Sequence, residues 1–397
     1  MKHNYNMLDG NDVKPGLVAF TADWHLHNFT DFSKTLTVKW DDATGRYQEA
    51  EEGEADTVEM NSRLLNTLNG ICDMRDYCYD NGIGTMLFGG DMFHHRGTID
   101  VTVFNAAYKV LSTFKFMNVY AIAGNHDQTD ASINPTSALH TFGELIHVYE
   151  KPTALALSPT EELVLLPYNK DKKFVLDSMR RLRKELKHPE KAVLVAHLGL
   201  NGGLVGSGMY SMKDEFTLGD LMSNDWRYVC LGHYHQPQVH HENTLYAGAP
   251  VQNNFGDERK GEDAYNGFFV LDMRSDGSIK FVPIKAPRFV TVSSASELEK
   301  LGKDFLENNF VRVKSTADKA EDIQEKLTDM LGESSAEVRL ELEKEYATEH
   351  RSDVSVTQSF DESVKTYAKE NWTDTESLTN VTSVGLDILN EVLSGGK

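Results

Sequence analysis

The sequence predicts a layered α/β fold with one ligand site at an edge of its sheets. Over the first two-thirds of the chain, short apolar or β-branched runs alternate with stretches whose apolar residues recur at spacings of three and four. This alternation indicates strands covered by helices. In addition, five short motifs rich in Asp and His each follow directly on an apolar run. Because ligands bind at the carboxyl ends of strands in open α/β sheets, we expect the motifs to converge in one cleft.

The predicted strands are the apolar runs themselves. In chain order they are GLVAF, TMLFGG, VYAIAGN, KAVLVAH, WRYVCLGH, TLYAGAP, GFFVLDM and IKFVPI. Helices are predicted for residues 58–79, 101–116 and 173–188, each of which can turn an apolar face to the sheet. Residues 39–56 are polar, acidic and aperiodic, so we expect a solvated insertion loop without a function there.

The character of the sequence changes near residue 287. Residues 1–286 contain all five motifs and form one predicted domain. Residues 287–355 show strand and helix patterns in turn at small scale, which predicts a second, α+β domain. Residues 356–397 predict a helical segment whose apolar side chains either pack on their own domain or face a partner.

The charge of the chain opposes a simple nucleic-acid-binding function. Forty basic residues stand against 61 acidic residues, for a formal net charge of −21, which is the reverse of the basic surface that such proteins use. A function on DNA would therefore need divalent cations in the site, or a basic partner subunit, to meet the phosphates.

Cysteine usage and hydropathy predict the cellular setting. The 397 residues include three cysteines without CxxC spacing, which argues against a disulfide framework and a zinc ribbon. The first sixteen residues are too polar for a signal peptide, and no apolar run approaches the roughly 20 residues of a membrane helix. We expect a soluble protein of the reducing cytoplasm without membrane attachment.

The five motifs are ADWHL, GGDMF, AGNHD, VAHLG and LGHYH. Their candidate ligands combine carboxylate, imidazole and amide oxygen donors without a thiolate, a mixture that suits manganese, iron or zinc. These candidates are Asp23, His25, Asp91, Asn125, His197, His233 and His235. Asp91 is the carboxylate best placed to bridge two ions, and paired metals of this kind promote phosphoester hydrolysis. The sequence therefore predicts a two-metal site.

Two further features of the motifs are open to more than one interpretation. In LFGGDMFHHRG, His94 and His95 follow Asp91 and could be ligands, proton donors or ordinary surface residues. Asp127 follows His126, and its carboxylate could orient that imidazole by accepting the second ring N–H.

The motifs together resemble those of the calcineurin-like metallophosphoesterase superfamily over residues 17–284. The resemblance implies a four-layer α/β sandwich with two divalent metal ions. It assigns to one ion Asp23, His25, Asp91 and His235, and to the other Asp91, Asn125, His197 and His233. It also places His126 at the phosphate as an acid or charge stabiliser.

Within that superfamily, GGDMFH and the block TLYAGAPVQNNFGDERKGEDAYNGFFVLDM resemble the SbcD nuclease subunit of DNA break repair. Ala249 stands where serine is common, and AHLGLNGGLVGSGMYS is longer and richer in glycine than the family pattern. The resemblance implies Mn²⁺, with iron and zinc as alternatives, and a role for His94 in positioning the scissile phosphate. It assigns no role to His95.

The SbcD resemblance also implies partners. Residues 287–355 would form a capping and DNA-recognition domain, and residues 356–397 would dock on the coiled coil of an SbcC-type ATPase. We expect a homodimer that acts on DNA as an exonuclease and endonuclease in repair or recombination. The alternatives are a phosphoesterase for small phosphomonoesters or cyclic nucleotides, and an inactive scaffold for the ATPase.

Overall fold

The structure is a computed structural model of a chain that divides into two compact units, Met1–Leu342 and Glu343–Lys397. It describes residues 13–129, 136–205, 210–211, 215–259, 261, 264–274, 277–316, 319–331, 338–342, 360–372 and 375–393. Among these residues, no helix has both the length and the apolar character needed to cross a membrane.

The strands of the described residues include every apolar run that the sequence singles out. In chain order they are β1 (Leu17–Thr21), β2 (Thr35–Asp41), β3 (Arg46–Glu49), β4 (Thr57–Asn61), β5 (Thr85–Phe88), β6 (Asn118–Ile122), β7 (His147–Tyr149), β8 (Thr153–Ala156), β9 (Glu162–Leu166), β10 (Val193–His197), β11 (Leu204–Val205), β12 (Tyr210–Ser211), β13 (Tyr228–Gly232), β14 (Gln238–His241), β15 (Thr244–Tyr246), β16 (Gly267–Asp272), β17 (Ile279–Pro283), β18 (Phe289–Val292), β19 (Phe310–Ser315) and β20 (Val338–Leu342). Six of the eight predicted runs contain one of these strands, and the runs GLVAF and VYAIAGN overlap β1 and β6 with ends that differ by one residue.

The described residues contain α-helices in both units. They are α1 (Ser62–Asp80), α2 (Val101–Leu111), α3 (Lys172–Glu185), α4 (Ala295–Leu301), α5 (Lys303–Glu307), α6 (Ala320–Leu331), α7 (Phe360–Asn371) and α8 (Thr375–Leu393). The side chains of Asn61, Asp100 and Asp171 accept backbone N–H groups in the first turns of α1, α2 and α3. The three predicted helices are therefore present, with boundaries shifted by a few residues.

Two six-stranded sheets form the centre of the first unit. Sheet A has the order β17-β16-β1-β5-β6-β7 and sheet B the order β14-β15-β13-β10-β9-β8. In sheet A, β1, β5, β6 and β7 run parallel, and in sheet B, β9, β10, β13 and β15 do so. The parallel strands of each sheet therefore have their carboxyl ends along one edge.

Because successive side chains of a strand point to opposite faces of its sheet, the core has three parts: one between the two sheets and one on the outer face of each sheet. Phe20 and Leu87 of sheet A pack between the sheets with Leu165 and Val195 of sheet B. On the outer face of sheet A lie α1 and α2, and on the outer face of sheet B lies α3. The order helix, sheet, sheet, helix confirms the predicted four-layer α/β sandwich.

The prediction of a solvated loop at residues 39–56 is wrong. Strands β2, β3 and β4 form an antiparallel sheet over this region. Val38, Tyr47 and Met60 are buried in the core that includes α1. Leu36, Val38 and Trp40 in β2, and Val58 and Met60 in β4, alternate with polar residues, which is the pattern of a half-buried strand. Since β4 extends to Asn61, α1 begins at Ser62 and not at residue 58.

Residues 289–342 form a small α/β subdomain, called the small subdomain below. Strands β18, β19 and β20 pair in parallel, with α4 and α5 between the first two and α6 between the last two. Its core contains Leu298, Val311 and Ile323. The predicted boundary at residue 355 lies outside the described residues, so the proposed domain limits stay a prediction.

The second unit contains two helices in the tail that is predicted to be helical. Helices α7 and α8 pack on each other, with Ala368 buried. Tyr367, Val384 and Ile388 are exposed. The pair therefore keeps apolar side chains at its surface, as the amphipathic pattern predicts.

Candidate metal centre

The carboxyl ends of five strands bring the seven predicted ligands to one edge of the sandwich. The ligands after sheet A strands are Asp23 and His25 (β1), Asp91 (β5) and Asn125 (β6), and those of sheet B are His197 (β10), His233 and His235 (β13). The side chains of five of them are buried, namely Asp23, His25, Asp91, Asn125 and His197. The predicted convergence is therefore found, although the role of each residue as a ligand stays a prediction.

Besides a cluster of His25, His94 and His126, the imidazole and carboxylate side chains form two groupings that contain an aspartate. One contains Asp23, His25 and His235, and the other contains Asp91, His197 and His233; within each, one potential ligand atom per residue lies within 4.8 Å of the others. Oδ2 of Asp91 is 3.3 Å from Nε2 of His197 and 3.7 Å from Nε2 of His25. Asp91 thus lies between the groupings, where a bridging carboxylate is expected.

Asn125 completes the second grouping. Its Oδ1 atom is 2.9 Å from Nε2 of His197 and 3.1 Å from Nδ1 of His233. The other ring nitrogen of His197, Nδ1, lies 2.8 Å from the carbonyl oxygen of Gly89. Because a carbonyl can only accept, Nδ1 carries a proton, and loss of the second proton from Nε2 would leave the lone pair of that nitrogen for a cation.

The chemistry of His25 fits a cation at the first grouping. The side chain is 2% exposed, and both ring nitrogens lack a hydrogen-bond partner among the described residues. An unpaired buried polar group costs about 1–3 kcal/mol. A divalent cation would satisfy the ring, and the neighbouring carboxylate and imidazole are donors that manganese, iron and zinc all accept.

Four of the predicted ligands have strained backbones. Asp23, His25, Asp91 and His233 have φ angles of 54°, 45°, 60° and 109°, in a region that residues other than glycine seldom adopt. They are four of the seven such non-glycine residues in the described part of the chain. Strain of this kind persists where a site needs a particular side-chain direction, and here it accompanies the sharp turns at the strand ends.

Gly124 allows the loops after β5 and β6 to approach closely. A Cβ atom at this position would lie 2.1 Å from Oδ1 of Asp91 and 2.4 Å from its backbone nitrogen. These distances are far below van der Waals contact. The absence of a side chain at residue 124 is therefore a condition for the position of Asp91.

One site residue, Asp257, was missed by the ligand prediction. Its Oδ1 atom is 3.2 Å from Nδ1 of His235, and the side chain is buried. A carboxylate at the second ring nitrogen fixes the orientation of an imidazole ligand. The available signal was Phe255, Gly256 and Asp257 in the block that resembles SbcD, but that signal says nothing about His235.

The charges of the site shift the pKa values of its groups in opposite directions. Burial, and after it the charge of Asp91, raises the pKa of Asp23 to about 7. Burial opposes a charged imidazole, but Asp91 raises the pKa of His197 to about 9 and Asp257 raises that of His235 to about 9. Burial alone would raise the pKa of Asp91, yet the charge and hydrogen bond of His197 hold it below its usual value. Without metal, the site holds protons that a cation would displace.

His94 and His126 lie beside the first grouping. Their rings stack with centroids 5.7 Å apart, and the centroids of both lie within 5.4 Å of that of His25. Nδ1 of His126 contacts the backbone carbonyl of His94, and the backbone N–H of His126 donates to Asp91. Burial, and then His126, lowers the pKa of His94 to about 4, so its imidazole is neutral at pH 7. His95 is exposed and packs against His27.

The predicted contact of Asp127 with the His126 imidazole is wrong. The Asp127 carboxylate accepts backbone N–H groups from both strand-end loops, those of Asp91, Met92, Phe93 and Gly124. The His126 ring instead contacts the carbonyl of His94. Asp127 therefore holds the loops that present Asp91 and Asn125.

A comparison with protein families agrees with this geometry. The family model described as calcineurin-like phosphoesterase matches residues 16–237, which is more than half of the 397-residue chain. The matched region contains all seven predicted ligands. No curated protein matches the chain.

Proposed function

This chain belongs to the calcineurin-like phosphoesterase family, and from that premise we propose that it is an SbcD-type nuclease subunit that hydrolyses phosphodiester bonds of DNA. The family and the two groupings of Asp and His make the chain a metal-dependent hydrolase of phosphoesters. DNA as the substrate, the manganese ions and the ATPase partner are the proposed refinements.

The observation that carries the proposal is the attachment of the small subdomain to the site. Its strand β18 contacts residues 252–258, and Asp257 in that stretch is 3.2 Å from the predicted ligand His235. Hydrolysis of a small ester requires no second subdomain at the site. A polymer that extends beyond the reacting phosphate can use one, and the SbcD resemblance supports a DNA-recognition role for it.

The proposed chemistry divides among the residues of the centre. Asp23, His25, Asp91 and His235 would hold one ion, and Asp91, Asn125, His197 and His233 the other. When bound, two divalent cations polarise the phosphoryl oxygens and make a water molecule more acidic. His126 is proposed to stabilise the developing charge or to protonate the leaving 3′ oxygen. His94, neutral at pH 7, is proposed to position the phosphate by a hydrogen bond.

Partners would explain how a chain with a large negative charge can act on DNA. With a net charge of −21, the chain would rely on its two cations and on an SbcC-type coiled-coil ATPase for phosphate contacts. The exposed Val384 and Ile388 on α8 support α7 and α8 as the docking segment. A homodimer is proposed as well, since α2 exposes Val101 and Tyr108. The free buried cysteines support a cytoplasmic location.

One panel of substrates tests the proposal. Purified protein with Mn²⁺ is incubated with linear duplex DNA, single-stranded circular DNA, a chromogenic phosphodiester and a chromogenic phosphomonoester. We expect cleavage of both DNA substrates and loss of that cleavage in Asp91→Asn. Cleavage of the monoester alone would overturn the nuclease proposal in favour of a small-molecule phosphoesterase. An absence of metal-dependent cleavage of any substrate would favour the inactive scaffold.

A further inference from the structure

Residues 252–258, called the linking segment below, contact both the metal centre and the small subdomain. The segment follows β15 and contains a short 3₁₀ turn, Phe255–Asp257. Asp257 faces the site, whereas Gln252, Phe255 and Glu258 contact the small subdomain. One short stretch of chain therefore touches a predicted metal ligand on one side and β18 on the other.

On the site side, Asp257 is held rigidly. Its Oδ1 atom is 3.2 Å from Nδ1 of His235, and its Oδ2 atom accepts the backbone N–H of Asn253 at 2.8 Å. Its own N–H donates to the carbonyl of Asn254 at 2.9 Å. The side chain is 5% exposed. Because both oxygens are engaged, a displacement of the turn would change the contact with His235.

On the other side, three contacts fix the linking segment to β18. The Glu258 carboxylate accepts the N–H of Thr291 at 2.9 Å and its hydroxyl at 2.6 Å. The ring of Phe255 packs edge-on against Phe289, with centroids 4.9 Å apart. The side-chain oxygen of Gln252 accepts the N–H of Phe289 at 2.7 Å. Phe255 and Glu258 lie on either side of Asp257 in the chain, so their contacts fix the backbone both before and after Asp257.

We propose that Asp257 is a positioning residue for His235 and that the small subdomain sets its position through Phe255 and Glu258. The small subdomain then adjusts the affinity of the ion held by Asp23, His25 and His235, without touching that ion. Among the described residues, no hydrogen bond links the small subdomain to Asn125, His197 or His233, so we expect the other ion to be unaffected. This inference rests on the metal-dependent phosphoesterase assignment and does not require DNA to be the substrate.

Mn²⁺ titration of the EDTA-treated full chain tests, without any substrate, whether Asp257 and the small subdomain affect metal affinity. Calorimetry gives the two affinities, and electron paramagnetic resonance reports whether two ions occupy the site together. We expect Asp257→Asn to weaken one Mn²⁺ site by about 10–100-fold, the usual effect of removing such a partner, and to leave the other unchanged. Asp257→Glu should restore part of the loss.

Two variants in the contacts with the small subdomain test the second half of the proposal. Thr291→Val removes the hydroxyl that Glu258 accepts, and Phe255→Leu removes the ring contact with Phe289. Both should weaken the same Mn²⁺ site as Asp257→Asn, by a smaller factor. The matched controls are Asp272→Asn, a buried carboxylate at the opposite end of sheet A, and Thr153→Val on β8. Both should bind Mn²⁺ like the parent chain, and circular dichroism in EDTA checks that every variant folds.

Several results would overturn the proposal. If Asp257→Asn binds both ions like the parent chain, Asp257 does not position His235. If it weakens one site while Thr291→Val and Phe255→Leu change nothing, the small subdomain has no part in the effect. In both cases the parent still binds two ions, so the phosphoesterase assignment stands. A parent chain that binds no Mn²⁺ would overturn the metal centre and the link together.

Discussion

The carboxylate of Asp127 accepts the backbone N–H of Asp91 at 2.8 Å. The same carboxylate accepts the N–H groups of Met92 and Phe93 from the loop after β5, and that of Gly124 from the loop after β6. Burial, and after it the charge of Asp91, raises the pKa of Asp127 to about 7, but the donated N–H groups favour its charged form, to which hydrogen bonds contribute about 1.5–3 kcal/mol each. Asp127 thus joins the two loops that present the central carboxylate and the amide of the second grouping.

We predict that Asp127→Asn destabilises the fold and abolishes Mn²⁺ binding. Oδ2 of Asp127 faces two N–H donors, those of Asp91 and Gly124, and an amide nitrogen there would leave both unpaired. At about 1–3 kcal/mol for each unsatisfied buried donor, the free energy of unfolding should fall by roughly 2–6 kcal/mol. Chemical denaturation and Mn²⁺ calorimetry measure the two effects.

Glu162→Gln is the control for general destabilisation. Glu162 accepts the N–H groups of Lys187 and His188 at the amino end of β9, away from the site. This variant should lose stability and keep its Mn²⁺ affinity. If Asp127→Asn also keeps Mn²⁺ affinity, the assigned role of Asp127 in holding the two loops is wrong.

A second prediction concerns Gly124→Ala. The added Cβ would lie 2.1 Å from Oδ1 of Asp91, so the loops must separate. Overpacking typically costs about 1–3 kcal/mol, and here it also displaces a predicted bridging ligand, so Mn²⁺ binding should fall more steeply than thermal stability. Gly143→Ala is the control, because a Cβ atom at residue 143 would have nothing within 4 Å of it. A Gly124→Ala protein with parental Mn²⁺ affinity would contradict the close approach.

A third prediction is that Mn²⁺ affinity rises with pH. His197 and His235 have pKa values raised to about 9, so both imidazoles are protonated without metal at a pH of about 7, well below those values. Since ligands must lose their protons to bind a cation, binding near neutral pH should release about two protons from the imidazoles and a fraction of one from Asp23, whose pKa is raised to about 7. His233, whose pKa is lowered to about 3, mainly by burial, contributes none.

The direction of the change follows from the raised pKa values. Protons compete with the metal below a pH of about 9, so affinity should increase through neutral pH and level off once both imidazoles are neutral. Calorimetry in two buffers of different ionisation enthalpy counts the released protons at each pH. If no protons are released near neutral pH, the two imidazoles are already neutral in the metal-free site.

The sandwich could be predicted because its strands are buried on both faces. Runs such as those of β5, β10 and β13 are continuously apolar, a pattern that marks parallel strands inside an α/β fold. Strands β2 and β4 could be predicted in part, since Leu36, Val38 and Trp40, and then Val58 and Met60, alternate with polar residues, whereas β3 has no such pattern. Their burial depends on α1, which the local sequence does not reveal.

The convergence of the seven candidate ligands at one edge could be predicted, and their role as ligands stays a prediction, but the contacts around them could not be predicted. Each motif places an Asp, Asn or His residue at the end of a strand, which the local sequence shows. Because these strands run parallel within each sheet, the residues meet at one edge. The hydrogen bond of Asp257 to His235 joins residues 22 positions apart. The sequence pairs Asp127 with its neighbour His126, whereas its carboxylate reaches residues 34 to 36 positions away. Such contacts depend on loop conformation, which residue types alone do not specify.

The last prediction concerns His94→Ser, which tests the proposed nuclease. His94 stacks on His126 and its Nδ1 atom is buried without a partner among the described residues, yet it lies outside the seven predicted ligands. Its loss should leave Mn²⁺ binding intact. Exonuclease cleavage should fall by about 10²-fold, the usual cost of a misplaced reacting group, and endonuclease cleavage by less. His95→Ser is the matched control, because the ring of His95 is exposed, and both cleavage activities should persist. An equal loss of the two activities in His94→Ser, or a loss of Mn²⁺, would show that His94 does not position the phosphate.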